Sequence, residues 1–105
     1  MTQGLRRFQQ TGNLHFITFS CYHRQRHLGR AVTLRLFESA LERVRKRYNF
    51  VVIGCVVLPE HVQLLVSETK ITTLDRAIQA LKLSVARKTK VYPFWQARET
   101  AAVIG

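Results

Sequence analysis

Residues 50–66 leave this chain few folding choices. Phe50 to Leu58 is a nine-residue run, apolar apart from one glycine, that ends at Pro59-Glu60. It is far too short to span a membrane, which takes about 20 residues, and it reads as a strand covered on both faces. The proline-containing connection folds the chain back, and His61 to Ser67 leaves it as the second arm of a β-hairpin. Side chains two apart on a strand share a face. Val62, Leu64 and Val66 therefore face a core, and His61 and Gln63 project together from the other side.

The flanking segments extend that hairpin into a domain. Leu14 to Tyr22 alternates and is rich in Phe16, Ile17, Thr18 and Phe19, which predicts a first strand. Tyr22 to Arg30 is polar and basic and reads as a loop. Leu34, Phe37, Leu41, Val44 and Tyr48 recur at steps of three and four, which predicts an amphipathic helix over 32–48 closed by Asn49. Its outer face carries Arg35, Arg43, Lys46 and Arg47. A second helix opens at Thr72, with Asp75 three residues on as a capping-box-like pair. Its apolar stripe is Leu74, Ile78, Leu81 and Val85, and Lys82, Arg87, Lys88 and Lys90 give its later turns a basic surface. Pro93 stops the helix. Phe94 to Arg98 is the expected start of a fourth strand, and 99–105 is weakly patterned. The order β-α-β-β-α-(β) predicts one α+β domain over 1–105, a ferredoxin-like antiparallel sheet with two helices on one face.

Charge then narrows the partner. Seventeen Lys and Arg stand against six acidic residues in 105, a net charge of +11. Twelve of the seventeen are Arg, whose planar fork of donors matches phosphate. Such an excess on a small folded domain predicts a nucleic-acid partner and no membrane association. The expected phosphate contacts are Arg24 and Arg26 after the first strand, Arg87, Lys88 and Lys90 at the end of the second helix, and Arg98. His23 and His27 would join them near or below neutral pH. Phe94 and Trp95 offer base-stacking surfaces, although core packing is the simpler reading. Residues 1–10 lack the apolar stretch of a signal peptide, so the cytoplasm is the expected location. Cys21 and Cys55 lack zinc spacing and are expected to be reduced and buried.

His61 and Gln63 supply the candidate chemistry. Imidazole is a common ligand for divalent metals, and the amide oxygen is a weaker neutral one. Completed by a phosphate, waters and a third side chain, they would hold a cation that polarises a phosphodiester. On spacing alone, an ordinary polar strand face is the more frequent outcome.

The segment Pro59, His61, Val62, Gln63, Leu64, Leu65, Val66 resembles the Pro-x-His-hydrophobic-His-Leu-Leu-hydrophobic motif of the single-tyrosine HUH transposases, the IS200-like and REP-associated tyrosine transposases among them. His15-Phe16-Ile17-Thr18-Phe19 and Phe94-Trp95-Gln96-Ala97-Arg98 resemble further landmarks of that family. The resemblance implies a bacterial, nucleoid-associated DNA transposase, a metal-dependent nuclease that cuts and rejoins single-stranded or hairpin DNA. It implies Mg²⁺ or Mn²⁺ at His61 and Gln63, with His61 as the catalytic position, and a tyrosine on a helix after the fourth strand as the nucleophile.

Two departures qualify these implications. Gln63 stands where the family has a second His, which weakens the metal site. Residues 100–105 do not match the family's continuation, and the nucleophile has no matching position. Tyr22, Tyr48 and Tyr92 read as packing or edge aromatics. A truncated protein that binds DNA without strand transfer is therefore the expectation. In the usual 4-1-3-2 order the second strand lies at an edge, and a homodimer would cover it. The alternative is a noncatalytic RNA-binding or ribonucleoprotein module of the same topology. Its expected base-stacking aromatics are missing from the third strand.

Overall fold

The computed structural model describes residues 13–104; the N-terminal reading of residues 1–10 lies outside them. Four strands form one antiparallel sheet: β1 (Leu14–Ser20), β2 (Val52–Leu58), β3 (His61–Ser67) and β4 (Thr100–Ile104), in the order β2-β3-β1-β4. Helix α1 (Ala31–Tyr48) links β1 to β2, and α2 (Leu74–Thr89) links β3 to β4. The expected topology stands, as does the hairpin with Pro59-Glu60 as its turn.

One face of the sheet is the core. Ile17 and Phe19 of β1 and Val62, Leu64 and Val66 of β3 are at most 2% exposed and cluster with Phe37, Ala40, Leu41 and Val44 of α1 and Ala77, Ile78, Leu81 and Val85 of α2. Each large side chain buried this way contributes about 1.5–3 kcal/mol. The period-two pattern of the strands meets the three-and-four pattern of the helices at this layer.

The ends of the helices follow from local chemistry. Asn49 closes α1 in the left-handed region at φ 56°, donating its N–H to the Arg45 carbonyl; Asn tolerates that conformation better than most residues. The N-cap of α2 is Thr73, one residue later than the sequence suggests, and its hydroxyl accepts from the Arg76 N–H.

Other expectations need correction. β1 ends at Ser20, where the Cys21 N–H turns to the Glu60 carbonyl, and Tyr22–Arg24 forms a 3-10 turn with His23 and Arg24 at positive φ. β2 starts at Val52 and is only partly covered, with Val56 51% exposed, because Val56 lies beside Gln63 on the face of the sheet that carries no helix. Phe94–Arg98 is not a strand: one bridge, Cys21 to Trp95, is its sheet pairing, and β4 begins at Thr100. Both cysteines are free, but only Cys21 is buried; Cys55 lies exposed on β2. Lys82 is not part of a basic surface. It is 5% exposed, and its ammonium donates to the Gln96 carbonyl at 3.1 Å and to Glu99 at 3.3 Å.

Candidate nucleic-acid and metal site

The sheet's second face carries no helix, and His61 and Gln63 lie on it. Gln63 is flanked by Thr18 on β1 and Val56 on β2; His61 is flanked by Ser20 and Leu58. The core face of β3 is filled by Val62, Leu64 and Val66, all fully buried, so the alternation of the strand directs His61 and Gln63 away from the helices.

His61 is the more constrained of the two. Its side chain keeps 15% exposure, and its Nδ1 is buried and without a hydrogen-bond partner among the described residues. Glu60 Oε2 lies 3.6 Å from it, too long for a hydrogen bond. Sequence reasoning passed over Glu60 as a turn residue; an acid next to a candidate ligand was the available signal.

Among the described residues no three His, Cys, Asp or Glu side chains cluster as a metal site. The donors therefore fit a hydrated Mg²⁺ or Mn²⁺, which is held by one or two protein groups plus substrate phosphate. They do not fit a closed structural site such as zinc's.

Next to His61, the segment before β4 fixes the basic turn. Gln96 N–H donates to the Ser20 carbonyl, and Gln96 Oε1 accepts from the His23 N–H at 3.0 Å. Tyr22 N–H donates to the Phe94 carbonyl, and the Tyr22 and His23 rings stack at 3.9 Å. Trp95 donates its indole N–H to the Lys82 carbonyl. Phe94 and Trp95 are 2% and 8% exposed, so they are core residues and offer no surface to bases. The Phe-Trp-Gln segment thus acts as a clamp: two aromatics anchor it, and the amide holds the turn that carries Arg24.

Arg24, Arg26, Arg87, Lys88, Lys90 and Arg98 are all exposed. Arg24 and Arg26 leave the end of β1 that carries Ser20, beside His61. Arg87 and Lys88 lie in the last turn of α2, on the layer opposite the His61 face. Arg98 precedes β4. The six cations therefore do not form one patch on the open face.

The domain is thus a four-stranded antiparallel sheet with two helices on one face and a His-x-Gln pair on the other. The family described as "Transposase IS200 like" matches residues 9–99, and the chain belongs to it. Among solved structures it is similar to a REP-associated tyrosine transposase bound to a REP hairpin, with TM-score 0.79 and 20% identity over 90% of this chain and 58% of that one. It is also similar to a putative transposase from Deinococcus radiodurans R1, with TM-score 0.74 and 16% identity over 90% of this chain and 81% of that one. The chain spans less than two thirds of the length of the hairpin-bound relative. No curated protein matches it. No helix among the described residues is long and apolar enough to cross a membrane. The family match ends at residue 99, and the residues that follow, Thr100–Ile104, form β4, paired with β1.

Proposed function

We propose that this domain binds single-stranded or hairpin DNA in a transposition reaction, placing one phosphodiester on the open sheet face against a cation held by His61 and Gln63. The observation that carries this is the buried, unpartnered Nδ1 of His61, on an accessible face beside Gln63. A bound Mg²⁺ or Mn²⁺ would supply charge stabilisation at the phosphate. Ser20 and Thr18, the cross-strand neighbours, offer hydroxyls to phosphate oxygens. Arg24, Arg26, Arg87, Lys88, Lys90 and Arg98 supply the salt-sensitive part of the affinity.

By this reading the domain binds DNA, and none of its described tyrosines is the nucleophile of a phosphotyrosyl link. Tyr48 packs against the core beneath the Arg47 guanidinium, Tyr22 is stacked on His23, and Tyr92 lies beyond the end of α2. None lies on β3 beside His61. A second copy pairing along β2 would cover Val56 and the unpaired strand edge; light scattering that gives a monomer at micromolar concentration refutes that part.

The test is binding of a labelled hairpin oligonucleotide with Mn²⁺ or with EDTA. Mn²⁺ should tighten binding by the wild type and not by His61→Ala. Equal affinity with and without metal would overturn the site. A covalent protein–DNA adduct mapped to Tyr22, Tyr48 or Tyr92 would overturn the reading of those tyrosines.

A further inference from the structure

Five phenylalanines lie among the described residues. Phe19, Phe37, Phe50 and Phe94 are at most 2% exposed, whereas Phe16 is 38% exposed. Ile17 and Phe19 belong to the core, so strand alternation turns Phe16 and Thr18 to the face that carries no helix. Phe19, Phe37 and Phe94 pack their rings on Trp95. Phe16 packs on no aromatic ring among the described residues.

The surroundings leave that ring open. Across the sheet its row reads Gly54, Leu65, Phe16, Ala102. Glycine has no side chain and Ala102 offers one methyl group, so Leu65 is the bulky neighbour in the row. The next row toward the His61 pole carries Gln63 and Thr18, two residues along each strand, about 7 Å away. An apolar row with an aromatic ring therefore adjoins a polar row that leads to His61, whose buried Nδ1 has no partner.

Charge indicates what lies there. None of the four strands contains Lys, Arg, Asp or Glu, while Arg24 and Arg26 stand just beyond the Ser20 end of β1. In a chain of net charge +11 the middle of this face is neutral. It suits an uncharged flat ring, and phosphates belong to its rim and to the His61 pole. A second protein surface fits less well, because a dry apolar cover on Phe16 and Leu65 would also strip water from Gln63 and Thr18 without bonding them. A nucleotide meets both rows, its base on the apolar one and its phosphate on the polar one.

We propose that Phe16 is a stacking platform for one unpaired base, that of the nucleotide whose phosphate lies against Gln63 and His61. The proposal rests on the DNA-binding reading above and adds that the strand is single at this point and runs up the sheet from the Arg24 turn. Stacking on an aromatic face tolerates any base, and no hydrogen-bonding side chain stands in the Phe16 row. The platform therefore reads the absence of pairing and not the sequence.

The experiment is anisotropy binding of a labelled hairpin with a single-stranded flank, in Mn²⁺, with an abasic residue placed at each flank position in turn. Phe16→Ala should weaken binding about tenfold and leave the slope of log K against log salt unchanged, because no phosphate contact is lost. Phe16→Tyr, which keeps the ring, should bind like wild type. Phe16→Leu, apolar but not flat, should recover little of the loss. One abasic position should cost the wild type about the same factor and cost Phe16→Ala nothing further, the coupling expected of two groups in contact. Phe16→Ala at wild-type affinity would overturn the platform while the DNA-binding reading stands. Losses that multiply independently at every flank position would mean that the ring acts through the fold, and would also overturn it. So would a Phe16→Ala change that converts a wild-type dimer to a monomer by light scattering, which would make the face a contact between copies. A wild type that does not bind the hairpin would remove both readings.

Discussion

Replacing Glu99 with Gln keeps the side chain's size and removes its charge, which leaves the Lys82 ammonium with the Gln96 carbonyl and the ring of Phe19, 5.9 Å away. Two unit charges at the observed 3.3 Å attract by about 5 kcal/mol before desolvation, at an effective dielectric near 20. Removing one partner of a buried pair costs about 3–5 kcal/mol. The Glu99 side chain is 14% exposed and that of Lys82 7%, and the carbonyl and ring remain, so about 2–3 kcal/mol is expected for Glu99→Gln. In a domain of this size each kcal/mol moves Tm by about 4–8 °C, so the fall should be about 10–20 °C. Lys82→Met removes the buried charge itself and frees Glu99 to turn to water. It should cost less, about 1–2 kcal/mol, mostly for the unbonded Gln96 carbonyl. Urea unfolding followed by tryptophan emission suits the measurement, because Trp95 is the single tryptophan and its indole N–H bonds the Lys82 carbonyl. The same change should loosen the Gln96 clamp on His23 and weaken hairpin binding. A Glu99→Gln variant within about 0.5 kcal/mol of wild type, or one more stable than Lys82→Met, would refute the assignment of a buried pair.

Two other perturbations separate stability from recognition. Lys90 closes α2 at φ 58°, so Lys90→Gly should raise stability by about 1 kcal/mol and still weaken DNA binding by removing a cation; a fall in Tm would count against that helix end. Burial pushes the Cys21 thiol from its usual 9.0 up to about 11. Above pH 9 the unfolded chain loses this proton and the folded chain keeps it. Stability should therefore fall between pH 9 and 11 by about 2–3 kcal/mol more than in Cys21→Ala, and equal pH profiles would exclude the effect. A thiol reagent should meanwhile label Cys55 alone in the native protein and both cysteines in denaturant.

β3 was readable to the residue because a Pro-containing turn and strict alternation bound it at both ends. His61 and Gln63 followed from the same alternation. β4 was not readable: all five of its residues are exposed, and a strand without a covered face carries no period-two signal. Lys82 was misread as surface by residue type, although it lies four residues after Ile78 and three before Val85, on the stripe that packs. The clamp made by Phe94–Gln96 was hidden because its partners, Lys82 and His23, are 13 and 73 residues away, and no local pattern reports such pairings.

His61, the Tyr22–Arg24 turn and the Phe94–Gln96 clamp crowd one pole of the sheet. The opposite pole, where Leu14 meets Ser67 and Ile104, holds the β3–α2 connection, Glu68 to Thr73, tied by His15 to Glu68 and by the Thr69 hydroxyl, which donates to the Thr72 carbonyl and accepts from the Thr72 N–H. A dye or a short inserted sequence at the exposed Lys70 or Ile71 would sit a full strand length from His61. That makes this connection the place to attach a reporter and watch binding without disturbing it.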